Sequence, residues 1–173
     1  MDIIFIRHAE SEYNKAGLLT GRIDCNLTSK GIEDAKLLGT TLNINFDVVY
    51  CSPLKRTKQT LKAILPNCEP IYDNRIIERS FGILEGMKKI YTKKQITELY
   101  NNGSILGAES NNEIDKRVSS FVNEIFKKYH NNENILVITH GGVLNSIKRN
   151  FISDYNPIST NNLSIFKLTN NKK

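Results

Sequence analysis

The sequence predicts an α/β fold, a three-layer sandwich whose mostly parallel central sheet carries helices on both faces. Three observations carry that expectation. Ile3 to Ile6, Asp47 to Cys51 and Ile135 to Thr139 are short runs rich in β-branched and aromatic residues. They are too short for buried helices and suit strands covered on both faces. The segments between them hold apolar residues at helical spacing, and strands alternating with helices build a parallel sheet. Finally, each run delivers basic residues at its end: Arg7-His8, Lys55-Arg56 shortly after Cys51, and His140. In open α/β sheets ligands bind at the carboxyl ends of the strands.

Taken in order, the first strand runs into a polar stretch, Ser11 to Cys25, that carries Gly17 and Gly21 and reads as a loop or broken helix. Thr28 is a candidate N-cap for a helix with Ile32, Ala35, Leu38 and Leu42 on one face. After the second strand, Ser52-Pro53 reads as cap and first residue of a helix through Leu65, ended by Pro66. A weak strand is expected near Pro70 to Tyr72, then a loop from Asn74 to Gly86. Lys88 to Tyr100 reads as a short helix with a basic face, broken at Asn101-Asn102-Gly103. Glu109-Ser110 leads into a helix through about Tyr129, whose stripe of Ile114, Val118, Phe121, Val122, Ile125 and Phe126 is core. A turn at Asn131 to Asn134, the third strand, a helix from Gly142 to about Phe151 and a last strand at Leu163 to Leu168 follow; Asn170 to Lys173 is expected to fray.

At 173 residues, with 39% hydrophobic and 24% charged residues, the chain suits one soluble domain. It holds no apolar run of transmembrane length and no signal-peptide pattern at Met1. Its three cysteines, Cys25, Cys51 and Cys68, have no metal or redox spacing and read as reduced thiols, so a cytoplasmic location is expected. The net charge of +6 suits anionic ligands, phosphate esters or nucleic acid, although the lysines are scattered over the chain rather than gathered in one arm. His130 shows no role.

The residues also carry a resemblance. Arg7-His8-Ala9-Glu10-Ser11 with Asn14, Gly21-Arg22-Ile23-Asp24 through Gly31, and Ser52-Pro53-Leu54-Lys55-Arg56-Thr57 stand in order with Glu78-Arg79-Ser80-Phe81-Gly82, Glu85-Gly86 and Thr139-His140-Gly141-Gly142. This set, spanning residues 2 to about 168, resembles the histidine phosphatase (phosphoglycerate mutase-like) superfamily, branch 1. It is closer to the small phosphatases of the α-ribazole phosphatase type than to the mutases. Ala9 stands where that family usually has glycine.

The chemistry of phosphoryl transfer suits these residue types. Arg7 and Arg56 supply planar, permanently charged forks for the phosphoryl oxygens, with Asn14 and the Gly141 amide as neutral donors. The resemblance assigns His8 as a nucleophile forming a phosphohistidine and His140, if protonated, as a stabiliser of phosphoryl charge. It points to Glu78 as the acid that protonates the leaving alkoxide, with Glu10 and Glu85 as rivals. Relatives of another branch use an aspartate after the second histidine; Gly141 occupies that position here. Gly21 and Arg22 are further candidates for contact with substrate. No metal ligand spacing is visible, so neither metal nor cofactor is expected. The expected partner is a small-molecule phosphate monoester, with no nucleic acid and no membrane; a homodimer is compatible with the chain.

The expected reaction is phosphomonoester hydrolysis. The alternatives are a cofactor-dependent phosphoglycerate mutase and a non-catalytic module that recognises phosphate. The mutases resembled here carry a long insertion as a lid, and in this chain only residues 86–109 could supply one. That stretch is short and polar and reads as lacking the aromatic and proline residues of a rigid cover, so water should reach the phosphohistidine. Its Lys88, Lys89, Lys93 and Lys94 either steer an anionic substrate or form a solvated face.

Overall fold

The computed structural model describes residues 1–88, 95, 98, 100–101, 107–129, 133–152 and 161–169. Five strands, β1 (Asp2–Arg7), β2 (Val48–Cys51), β3 (Ile71–Tyr72), β4 (Asn134–Thr139) and β5 (Ile165–Thr169), form one sheet in the order β3-β2-β4-β1-β5. All pairings are parallel except that of β5 with β1. The helices described from end to end are α1 (Glu12–Lys15), α2 (Ser29–Thr41), α3 (Lys55–Ile64), α4 (Asn111–Lys128) and α5 (Gly141–Phe151).

The alternation of the strands divides the core in two. Ile3 and Phe5 of β1 join Ile135 and Val137 of β4 beneath α4 and α5, with Ile114, Val118, Phe121, Val143 and Leu144 in the same cluster. Ile4 and Ile6 join Leu136 and Ile138 on the other face, with Ala35 of α2 and Leu61 and Ile64 of α3. Helices therefore cover both faces, which is why the central strands are apolar without alternation.

The sheet register sets the site. Arg7 lies opposite Thr139, and Cys51 opposite Ile138. The ladder continues one step beyond the strands, because the His8 amide donates to the Thr139 carbonyl at 2.9 Å and the Ser52 amide to the Ile138 carbonyl at 3.0 Å. His8, His140 and Ser52 thus leave the sheet side by side, with His140 in the middle.

Several local expectations change. Helix α3 begins at Lys55 with Leu54 as its N-cap and no side-chain cap, so Ser52-Pro53 is not the helix start. Proline disfavours helical backbone in the residue before it, and the Ser52 hydroxyl is engaged by His140. The Ser11 to Cys25 loop contains one helical turn, α1, closed by a reciprocal Ser11–Asn14 capping box. Two 3₁₀ turns, Asn74–Ile76 and Gly82–Leu84, punctuate the expected loop. Strand β5 begins at Ile165 rather than Leu163, which adopts a left-handed backbone with φ 59°. Gln95, Glu98, Tyr100 and Asn101 are helical, whereas Lys89, Lys93, Lys94, Asn102, Gly103, His130 and Asn170 to Lys173 lie outside the described residues. Among the described residues no helix is long and apolar enough to cross a membrane. All three cysteines are free thiols.

Candidate active site

A cavity of about 260 Å³ opens at the carboxyl edge of the sheet. Arg7, His8, Asn14, Gly21, Arg56, Glu78 and Gly141, all named from the sequence, line it. His140 stands directly behind, its ring 5.2 Å from that of His8.

His8 is buried, and its Nδ1 lies 2.7 Å from the carbonyl oxygen of Ala9. Only an N–H can satisfy that oxygen, so Nδ1 carries the proton and Nε2 keeps its lone pair. Arg56 Nε donates to that lone pair at 3.3 Å. The Ala9 methyl sits in the apolar cluster under α2 and α3, and its amide donates to Thr60 Oγ1. The methyl is therefore not among the cavity-lining groups.

Arg56 is fully buried and differs from the simple phosphate fork expected of it. Its Nη1 donates to the Ile23 carbonyl and its Nη2 to that of Gly21, at 2.9 and 2.7 Å. Three of its five donors thus hold His8 and the Gly21–Ile23 loop, and the Cys25 side chain hydrogen-bonds the same guanidinium. Burial pulls both Arg7 and Arg56 below the ordinary arginine range, and the Glu78 carboxylate acts against that pull.

Both histidines are held neutral. Burial, then the Arg56 and Arg7 charges, push His8 well below 6.5; burial and Arg56 lead the same shift at His140. A histidine whose folded pKa is depressed binds a proton in the unfolded chain first. Its contribution is complete above about 6.5 and is lost as pH falls from there toward the folded value. Each such histidine costs about 1.4 kcal/mol per pH unit in that window. Urea unfolding between pH 7.5 and 5.5 should therefore show stability falling by up to about 2.7 kcal/mol per unit below 6.5. His8→Asn and His140→Asn should each remove about half of that slope. A flat profile for the wild-type protein would show that the rings are not neutral and buried.

The three rival carboxylates separate. Glu78 lines the cavity and accepts from the Arg79 amide at 2.8 Å and from the Gly142 amide, at the N-terminus of α5, at 3.0 Å. A Cβ at Gly142 would lie 2.3 Å from Glu78 Oε1, so the close approach needs glycine there. Glu85 lies off the cavity and ties loops together, its Oε1 accepting from the Arg22 amide, the Phe81 amide and the Ser80 hydroxyl. That contact needs Gly21, whose φ is +51° and whose added Cβ would meet Glu85 Oε1 at 2.2 Å. Glu10 accepts from the Thr28 hydroxyl, also off the cavity.

Arg22 is not brought into the lining either. Its Nε donates to the Glu78 carbonyl, and its guanidinium pairs with Glu109 at 3.4 Å. Asn14 Oδ1 accepts from the Ser11 amide and from Asn162 Nδ2, which leaves its NH₂ group as the donor it can present. Asn162 also donates to the His8 carbonyl at 2.9 Å, bracing the backbone of His8 from the segment before β5.

Some lining residues escaped the sequence reading. Arg79, which the Glu78-Arg79-Ser80-Phe81-Gly82 motif carries without an expected role, is buried, donates to the Glu109 carbonyl and to Asn111, and stacks 4.2 Å from the Tyr100 ring. Asn145 follows Gly141 by four residues, one helical turn, and that spacing could have placed it on the same face of α5. Its Oδ1 is buried with no hydrogen-bond partner among the described residues. Tyr100 also corrects the expectation of a lid stretch without aromatic cover, since it lines the cavity near Phe81. Lys88 is exposed and bridges to Leu18 through its backbone. Among the described residues no group of three or more His, Cys, Asp or Glu could hold a metal ion.

Comparison with known proteins places this architecture. The family model of the histidine phosphatase superfamily (branch 1) matches residues 3–172. The chain is 36% identical over 148 residues to phosphoserine phosphatase 1 of Hydrogenobacter thermophilus, covering 80% of this chain and 70% of that protein. It is 30% identical over 163 residues to a 2,3-bisphosphoglycerate-dependent phosphoglycerate mutase of Rhizobium etli, covering 85% of this chain and 78% of the relative. In fold it is similar to the crystal structure of phosphoglycerate mutase from Bacillus anthracis, with a TM-score of 0.86 at 22% identity over 96% of this chain and 86% of that one.

Proposed function

The chain belongs to the histidine phosphatase superfamily, branch 1, and from that premise we propose that it hydrolyses phosphomonoesters of small metabolites through a phosphohistidine on His8. The observation that carries this reading is the state of His8. It is a neutral imidazole with its proton on Nδ1, bonded to the Ala9 carbonyl, and its Nε2 lone pair accepts from Arg56 at a cavity, lined also by Arg7, sized for a small ligand.

The phosphoryl group docks against Arg7, Arg56, the Asn14 amide and the Gly141 N–H at the start of α5, where the helix dipole also favours negative charge. Arg56 Nε exchanges its long contact with His8 for a phosphoryl oxygen. Nε2 then attacks phosphorus in line, the P–O ester bond breaks, and Glu78 gives its proton to the departing alkoxide. Water next attacks phospho-His8 while Glu78 takes up its proton, which releases inorganic phosphate and restores the free ring. His140 stabilises the phosphoryl charge. The stretch at 86–109, represented in the cavity by Tyr100, acts as a short lid on a single catalytic unit.

The part of the lining that receives the alcohol includes Arg79. Among the described residues Arg79 has no carboxylate within ion-pair distance, so its charge is available to a ligand. Leaving groups that carry a carboxylate are favoured, a class that includes phosphoserine and the phosphoglycerates. Neutral sugar phosphates should be poorer substrates.

The test is phosphate release from aryl and alkyl phosphates in excess EDTA by the wild-type protein and Glu78→Gln. The wild type should turn over both. Glu78→Gln should lose about 10²–10⁴-fold with alkyl leaving groups and far less with aryl ones, which need little protonation. Equal losses would remove Glu78 as the acid. The mutase alternative is read on the same preparation, with 3-phosphoglycerate and 2,3-bisphosphoglycerate. Phosphoryl transfer between glycerates that outruns phosphate release would overturn the hydrolase reading, and binding without phosphohistidine would identify a recognition module.

A further inference from the structure

Three strand ends stand in register at the site: β1 ends in Arg7 and His8, and β4 in Thr139 and His140. The third, at the end of β2, delivers Ser52. Its hydroxyl lies 2.7 Å from His140 Nε2, and both residues are fully inaccessible to solvent. His140 Nδ1 is buried with no hydrogen-bond partner among the described residues.

The hydrogens can be counted. The neutral ring has one N–H and one lone pair; the hydroxyl has one O–H and can accept. If His140 Nε2–H donates to Ser52, the hydroxyl hydrogen is left without an acceptor in a dry site, and the Nδ1 lone pair is left without a donor. If Ser52 donates to Nε2, both its hydrogen and the Nε2 lone pair are satisfied, and the single remaining group is an Nδ1–H. Unmade hydrogen bonds in buried sites are costly, so the second arrangement wins. Its one open donor is what a phosphoryl oxygen would satisfy.

We infer that Ser52 is a positioning residue that holds neutral His140 in its Nδ1–H tautomer, so that the ring presents a hydrogen-bond donor to the phosphoryl group without having to be protonated. The phosphoryl half of this inference rests on the proposed function; the tautomer does not. The expectation that His140 acts as a cation is thereby replaced. A dry ring beside Arg7 and Arg56 is a poor place for another positive charge, while a fixed N–H adds a dipole and no charge. Ser52 is held in place for this task, because its amide continues the β2–β4 ladder to Ile138 and its carbonyl accepts from the Thr57 hydroxyl at 2.8 Å.

The tautomer can be read directly from two-bond ¹⁵N–¹H correlation spectra of the full-length protein with labelled histidine, free and with inorganic phosphate. In the wild type, His140 should show a pyrrole-type Nδ1 and a pyridine-type Nε2, and phosphate should shift the Nδ1–H. Ser52→Ala should move the ring toward Nε2–H and lower kcat for an aryl phosphate about 10²-fold, the typical effect of losing one aligned donor, with a smaller change in KM. Ser52→Thr, which keeps the hydroxyl, should restore the tautomer and most of kcat. A wild-type Nε2–H ring, or a Ser52→Ala enzyme with unchanged kcat, overturns the assignment. If Ser52→Ala does not fold, the wild-type spectrum and Ser52→Thr still decide it. An Nδ1–H ring in a protein that releases no phosphate would support Ser52's role in setting the tautomer and overturn the hydrolase reading instead.

Discussion

His8→Ala is expected to lower phosphate release from monoesters by roughly 10⁴-fold or more, the scale seen when a covalent nucleophile is removed, and to abolish acid-labile phosphoenzyme. The phosphate cage should survive. Arg7 and Arg56 stand on separate strand and helix ends, and Arg56 is anchored by the Gly21 and Ile23 carbonyls independently of His8. Inorganic phosphate should therefore still protect the variant against thermal unfolding, since a ligand that binds only the folded state stabilises it. That combination separates loss of chemistry from loss of structure. Retention of more than about 1% of wild-type turnover, or of labelled phosphoenzyme, would place the nucleophile elsewhere. Loss of phosphate protection would mean that the ring, rather than the arginines, organises the cage.

How much of this was legible in the sequence follows from the range of each interaction. Ile3 to Ile6 and Ile135 to Thr139 could be read as strands because burial on both faces leaves an apolar run without alternation, a local signal. Their terminal residues could be read as a site because sheets bind ligands at one edge. Ser52 could not be read in this way. Locally, Ser52-Pro53 has the form of a helix start, and only a contact with His140, 88 positions away, reveals its role. The choice between Glu78 and Glu85 was equally closed to local reading. It depends on where two loops cross: Glu85 is captured by the amides of Arg22 and Phe81, whereas Glu78 is drawn to the α5 N-terminus by the missing side chain at Gly142. Arg56 was found, but its second role in holding the Gly21–Ile23 loop depends on backbone carbonyls that no residue type announces. Tyr100 gave no signal, because a tyrosine in a polar stretch does not show which way it faces.

Arg56 should reveal both of its roles through two substitutions. In Arg56→Lys the charge stays and the fork goes. An ammonium on a flexible stem cannot reach the Gly21 and Ile23 carbonyls and a ligand together, so kcat/KM should fall about 10²–10³-fold. One buried carbonyl, of Gly21, and one half-buried carbonyl, of Ile23, lose their donors, and stability should drop by about 1–3 kcal/mol in urea unfolding. In Arg56→Met the charge goes as well. That charge is the second-largest cause, after burial, of the depressed His8 pKa, so its removal should let the pKa climb back toward 6.5. A nucleophile must be unprotonated, and the acid limb of kcat/KM against pH should accordingly move to higher pH in Arg56→Met and stay close to the wild-type position in Arg56→Lys. The limb is read from kcat/KM because that ratio reports the free enzyme. If both variants kept the wild-type limb, Arg56 would be a structural clamp on the Gly21–Ile23 loop and not the charge that keeps His8 ready to attack.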